Sequence, residues 1–139
     1  MTREDAAPPR LSLELEVPFH DVDAMEIVWH GHYYKYFEIG RTALLRSKGL
    51  DGPEGLPGNH QLVIIESKCR HVYPLRYRDR FRVDSWFVDV DVRLNVGFEI
   101  INLSAGRRAA KGNTILATLD GSGRLLLSTP HAILERIQA

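Results

Sequence analysis

Between Phe19 and Tyr33 the chain carries His20, Asp21, Asp23, His30 and His32, a cluster of titratable groups in the connection that leads into a helical pattern. Residues of these types at this spacing support three chemistries. In the first they are structural: the aspartates shape a turn, His30 or a neighbour satisfies the first N–H groups of a helix, and His32 is exposed. In the second, Asp-x-Asp and His-Gly-His supply oxygen and nitrogen ligands to a metal. Residues one apart converge only if the loop folds tightly, and no HExxH or CxxC spacing accompanies them, so no metal ligand is assigned. In the third, a carboxylate faces the N-terminus of a helix. Free N–H groups and the positive end of the helix dipole then stabilise an oxyanion on a carbonyl held there. The carboxylate opposite attacks that carbonyl or activates water.

Such a site needs a helix to start just after it. Tyr33, Tyr36, Phe37, Gly40, Ala43, Leu44 and Ser47 recur at the three-and-four spacing of one helical face. Lys35, Glu38, Arg41, Thr42 and Lys48 fall mostly on the other. Gly40 in the apolar stripe costs about 1 kcal/mol of helix propensity relative to alanine, which implies close approach to another backbone. Gly49 reads as the C′ stop, with Arg46 and Lys48 near the negative end of the dipole.

Apart from a short C-terminal helix, the remaining elements are strands. Leu11, Leu13, Leu15 and Val17 alternate with Ser12, Glu14 and Glu16, a strand with one buried face that Pro18 ends. Residues 1–9 read as a frayed tail and 51–59 as a Gly- and Pro-rich loop that helps wall the site. Further strands are expected over 61–73, 80–92, 96–104 and 113–119, with Arg93-Leu94-Asn95 and the polar run 104–112 as connections. Asp120-Gly121-Ser122-Gly123 is a hairpin turn returning through Arg124 to Leu127. Thr129 reads as an N-cap before Pro130 at N1, opening a short helix with Ile133, Leu134 and Ile137 inward. The order, strand, long helix, then about five strands, predicts an α+β domain spanning 1–139 in which a mostly antiparallel sheet wraps one helix. Its edges need protection, which predicts a homo-oligomer.

With 139 residues, 18 basic and 18 acidic, and a pI near 7.0, nothing in the overall charge selects nucleic acid or an anionic membrane. The single cysteine, Cys69, sits in an alternating run and reads as a small buried side chain in a reducing compartment. No apolar leader and no membrane-length run is seen, so a cytoplasmic location is expected.

The run Asp21-Val-Asp23-Ala-Met-Glu-Ile-Val-Trp-His30-Gly-His-Tyr33, with Tyr36-Phe37-Glu38 and Arg41 after it, resembles the signature of the 4-hydroxybenzoyl-CoA thioesterase family of hotdog-fold acyl-CoA thioesterases. Tyr73-Pro74, Asp79 and Leu119-Asp120-Gly121 resemble the family too, so the likeness runs over about residues 11–137. It implies the hotdog fold, an antiparallel sheet around one long central helix, and hydrolysis of an acyl-CoA or acyl-carrier-protein thioester without a cofactor. By resemblance Asp23 is the catalytic carboxylate. Trp29, His30 and Gly31 take the place at the helix N-terminus, where the N–H groups near His30 and Gly31 polarise the carbonyl and the His30 side chain assists. Tyr33 and Trp29 wall the substrate, and Asn95 is the polar candidate contributed across a subunit interface. Arg107 and Arg108, with Arg76 and Arg78, are candidates for coenzyme A phosphates. The family forms homodimers or homotetramers with sites at the dimer interface. A non-catalytic hotdog protein that binds acyl thioesters or a carrier is the alternative; a hotdog dehydratase would place its histidine in a Pro-Gly-rich loop not found here. Glu26 stands where the family usually has glycine, a departure that bears on the loop path beside Asp23.

Overall fold

Leu11, Leu13 and Leu15 point one way and Ser12, Glu14 and Glu16 the other, and in the computed structural model, which describes residues 9–51 and 55–139, they form strand β1 (Leu11–Glu16). Val17, fully buried, donates its N–H to the Asp79 carbonyl at 2.9 Å and carries the chain into a 3-10 turn at Phe19–Asp21. Helix α1 (His32–Ser47) follows. Its buried face is Tyr33, Tyr36, Phe37, Gly40, Leu44 and Leu45. Ser47, expected on that face, is exposed and instead donates its hydroxyl to the Leu44 carbonyl at 2.6 Å, while Leu45, two positions earlier, is buried. Gly49, at φ +69°, closes the helix in the left-handed conformation that glycine adopts freely.

Strands β2 (Gln61–His71), β3 (Arg80–Asp89), β4 (Leu94–Asn102) and β5 (Arg107–Leu119) complete one antiparallel sheet in the order β1-β3-β4-β5-β2. Helix α1 lies across one face of it. Phe37 stacks on Phe98 with ring centres 4.5 Å apart, and Tyr36 packs on Phe81 at 4.7 Å. Burying side chains of this size stabilises by roughly 1.5–3 kcal/mol each relative to exposure. At Gly40 a β-carbon would lie 2.8 Å from Val83 Cγ1, so the glycine allows the helix to approach the sheet.

The structure moves several expected boundaries. β2 stops at His71 rather than Tyr73, and β3 at Asp89 rather than residue 92, although Val90 still packs against the core. β4 begins at Leu94, so Leu94 and Asn95 are strand rather than connection. The largest change is β5, which begins at Arg107: most of the polar run read as a connection is strand, because Ala109 and Ala110 are fully buried between outward charges. Only Leu103–Gly106 links β4 to β5, with Gly106 at φ +69°. After the Asp120–Gly123 turn the chain returns through a single bridge, Leu119 with Leu125, rather than a strand. Helix α2 (His131–Gln138) has Pro130 as its N-cap residue and no side-chain cap. Thr129, expected to cap it, buries its hydroxyl without a partner, while its N–H donates to the Asp91 carbonyl at 2.9 Å. Ile133 and Ile137 are buried and Leu134 is half-buried. The expected frayed tail and part of the 51–59 loop fall on residues 1–8 and 52–54, outside the described residues. No helix among the described residues is long and apolar enough to cross a membrane.

Candidate active site

The connection from β1 to α1 folds back on itself. Val22 bridges Val28, the Asp23 N–H donates to the Ile27 carbonyl at 2.9 Å, and the Glu26 N–H donates to the Asp23 carbonyl at 2.9 Å. Asp23 Oδ1 accepts the Met25 N–H at 2.8 Å, which fixes the carboxylate on its own turn. Glu26 sits at φ +66°, the left-handed conformation in which a β-carbon costs roughly 1–2 kcal/mol. The loop thus keeps a path suited to glycine while carrying a glutamate.

The chain then runs back alongside. Val28 donates to the Leu75 carbonyl at 2.8 Å and Trp29 to the Asp21 carbonyl at 3.0 Å. Gly31 is the N-cap of α1, with no side-chain cap. The His32 N–H donates to the Trp29 carbonyl and the Tyr33 N–H to the His30 carbonyl. Among the described residues, the N–H groups of His30 and Gly31 donate to no acceptor. These are the donors, at the positive end of the helix, that an oxyanion requires. The Trp29 indole folds over Gly31, where a β-carbon would lie 2.3 Å from its ring, and packs on His30 and His32 with centres 5.1 and 5.4 Å away.

A cavity of about 380 Å³ opens here. Asp23, Met25, Ile27, Val28, His30 and Tyr33 form one side; His71, Val72, Tyr73 and Pro74, at the end of β2 and just after it, form the other. A larger cavity of about 550 Å³ lies between the ends of β1 and β3 and the two helices, but there α1 and α2 present their C-terminal residues, Ser47, Lys48, Ile137 and Gln138. The negative end of a helix opposes a developing oxyanion, so the smaller cavity is the one fitted to carbonyl chemistry.

Of the residues singled out from sequence, the fold brings Asp23, His30 and Tyr33 into this cavity, with Gly31 next in the chain. Trp29 supports the loop but does not line the cavity. Arg107 is one layer out, its guanidinium 4.3 Å from the centre of the Tyr73 ring. Asn95 lies elsewhere, on the sheet face away from α1, bonded by Asn113 at 3.0 Å. Arg108 is on that outer face too, paired with Glu99 at 2.6 Å. Arg78 lies over the Tyr77 ring at 5.2 Å. Among the described residues, no three His, Cys, Asp or Glu side chains gather as a metal ion requires.

His71 and Tyr73 were not singled out as site residues. The His71 ring packs edge-on against Tyr33 at 4.7 Å and His30 at 6.2 Å. Partial burial and then the neighbouring His30 hold its pKa below the ordinary 6.5. The signal was present in sequence: Ser67, Cys69 and His71 alternate with Glu66, Lys68 and Arg70, so His71 shares the face of Cys69. Burial pushes the Cys69 thiol up to about 11, which keeps it a protonated, unreactive neighbour of the site.

Asp21 differs sharply from Asp23. It is 1% exposed, and its carboxylate accepts hydrogen bonds from Lys35 Nζ and, at 2.6 Å, from the Tyr36 hydroxyl. Burial on its own raises such a carboxyl, but the Lys35 and Tyr36 hydrogen bonds and the charges of Lys35 and His32 outweigh it and hold the pKa below 3.8. The same burial and the bond to Asp21 push the Tyr36 phenol upward, so it remains a donor. Asp21 was read as a turn former; the structure ties it to α1 instead, because its side chain points under the first turns of the helix.

A five-stranded antiparallel sheet wrapped on one long helix, with a carboxylate turn leading into the helix N-terminus, is the hotdog fold. The chain belongs to the thioesterase-like superfamily, whose family model matches residues 17–137. It is 31% identical over 119 residues to an Aquifex aeolicus (strain VF5) protein named provisionally as an esterase, covering 86% of this chain and 91% of that one. It is 28% identical over 102 residues to the Bacillus subtilis (strain 168) protein YneP, named provisionally as an acyl-CoA thioesterase, covering 73% of each. A Staphylococcus aureus protein solved in complex with CoA superposes with a TM-score of 0.83 at 17% identity, over 96% of this chain and 84% of that one, a likeness of fold.

Proposed function

We propose that this protein hydrolyses the thioester of an acyl group carried by coenzyme A or by an acyl carrier protein, in the manner of the 4-hydroxybenzoyl-CoA thioesterase family. What supports the reading is that Asp23 and His30 line one cavity, with Gly31 next in the chain, and that among the described residues the N–H groups of His30 and Gly31 donate to no acceptor. A thioester carbonyl held at those N–H groups is polarised, and the oxyanion formed on attack is stabilised there. The Asp23 carboxylate takes a proton from the attacking water and passes it to the thiolate as the C–S bond breaks. Alternatively it bonds to the carbonyl carbon itself, expels the thiolate, and leaves an acyl anhydride that water then cleaves to the acid and free Asp23, the water's proton going to the thiolate. His30 lines the cavity and serves orientation or proton transfer. In this reading Arg107, whose guanidinium lies over the Tyr73 ring, meets a phosphate of the carrier. Arg108, paired with Glu99 on the outer face of the sheet, takes no part in this reading, and Asn95 on the same face is the polar candidate contributed across a subunit interface.

The site is set in a cytoplasmic homodimer or homotetramer that pairs β2, the edge strand on whose end His71 lies. The deciding experiment is a thiol-release assay over acyl-CoAs of several chain lengths, an aryl-CoA and an acyl carrier protein, on the parent and Asp23→Asn. Asparagine retains the size of aspartate but neither attacks nor accepts a proton, so kcat should fall by at least ~10²-fold with fold and assembly unchanged. Near-parental turnover in Asp23→Asn eliminates the carboxylate mechanism. Binding without thiol release by the parent favours the non-catalytic carrier of acyl thioesters.

A further inference from the structure

We infer that Asp21, held by Lys35 and Tyr36, is the positioning residue that sets the N–H groups of His30 and Gly31 against the Asp23 carboxylate. The inference rests on the hydrolytic reading above and assigns a role to a buried carboxylate that the chemistry itself does not use.

Three segments of the site meet at this one residue. Asp21 is two residues before Asp23 and shares its backbone with the turn that carries that carboxylate. Its main-chain carbonyl accepts the Trp29 N–H at 3.0 Å, and Trp29 in turn accepts the His32 N–H at 2.9 Å while its ring covers Gly31. The donor segment His30–Gly31 is therefore held between two bonds of Trp29. The Asp21 side chain reaches the third segment, α1: Tyr36 donates to Oδ2 at 2.6 Å and Lys35 to Oδ1. His20 Nδ1 lies 3.2 Å and His32 Nε2 3.9 Å from Oδ1, so two imidazoles also face this carboxylate.

No other side-chain hydrogen bond among the described residues joins the Asp23 turn to the first turns of α1. Removing the carboxylate leaves a buried phenol and an ammonium without their acceptor. The helix start and the turn are then free to shift relative to each other. Misplacement of catalytic groups by about 1 Å costs up to about 10²-fold in rate. The loss should appear in kcat, because the donors and Asp23 remain present for binding but are misaligned in the transition state.

The test is steady-state thiol release by the full chain with an acyl-CoA that the parent turns over, comparing Asp21→Asn, Lys35→Met, Tyr36→Phe and the double variant Asp21→Asn/Lys35→Met, each corrected for the folded fraction by circular dichroism. Asp21→Asn is expected to lower kcat by about 10–10²-fold with KM within about two-fold. Lys35→Met and Tyr36→Phe should show smaller losses of the same kind, and the double variant should fall no further than Asp21→Asn, since both changes break one contact. A kcat per folded molecule within about two-fold of the parent for Asp21→Asn, or kcat and KM worsening together, overturns the inference. If Asp21→Asn does not fold, full kcat in both Lys35→Met and Tyr36→Phe overturns it. A parent that releases no thiol brings down the hydrolytic reading and this inference with it, whereas an active parent with unimpaired variants brings down this inference alone.

Discussion

Asp21 and Asp23 are two residues apart on one turn, and their surroundings divide the labour between them. Asp23 opens onto the cavity with a backbone N–H as its hydrogen-bond partner; Asp21 is sealed beneath α1 with a lysine and a tyrosine. His71, across the cavity, shows the same dependence on surroundings. Native His71 binds its proton more weakly than an unfolded imidazole of pKa 6.5, so unfolding takes up a proton on the acid side. Its contribution to stability is complete above about 6.5 and is lost as pH falls through the lower native value. The melting temperature of His71→Gln should accordingly fall less than that of the parent between pH 7 and pH 5. Equal slopes in thermal scans across that range would show that His71 is not perturbed in the native state. Glu26 illustrates a residue whose chemistry and conformation disagree: its side chain suits solvent, while its backbone occupies a region that favours glycine.

At the scale of elements, α1 does two things at once: its first residues close the site and its inner face seats the sheet. Gly40 serves the second. Replacing it with leucine improves helix propensity by about 1 kcal/mol but drives a side chain into Val83, and overpacking of a fitted core costs typically 1–3 kcal/mol or more. Gly40→Leu should therefore lower the melting temperature; an unchanged or raised value would mean that the helix yields without cost. The helix and β1 were legible from periodicity because each has one buried face and one wet face. The start of β5 was not. Arg107, Arg108, Ala109, Ala110 and Lys111 read as polar connection, but Arg107 lies over Tyr73, Arg108 pairs with Glu99 on β4, and Ala109 and Ala110 are fully buried.

For the whole molecule the decisive feature is the β2 edge. Among the described residues β2 pairs only with β5, and Val63, Ile64 and Ile65 are 38%, 48% and 53% exposed along it. A long apolar edge recruits another strand, and a second copy of the same strand is the partner always available at equal concentration. Light scattering should find an assembled species at micromolar concentration. Ile65→Lys should shift it toward monomer and, on the proposal that the site is built at that interface, reduce turnover. A parent that remains monomeric would remove the assembly from the reading of the site.

The sequence by itself determined the α+β class of the fold and the helix, because each depends on neighbours within one turn or one strand repeat. Only the tertiary structure decided which strand of the sheet faces the site, and so brought in His71 and Tyr73 while leaving Asn95 and Arg108 on the outer face. It also decided that Asp21 is buried under α1 rather than free on a turn. Those outcomes depend on strand order and on which side chain is covered. Such contacts join residues far apart in the chain, and local spacing carries no record of them.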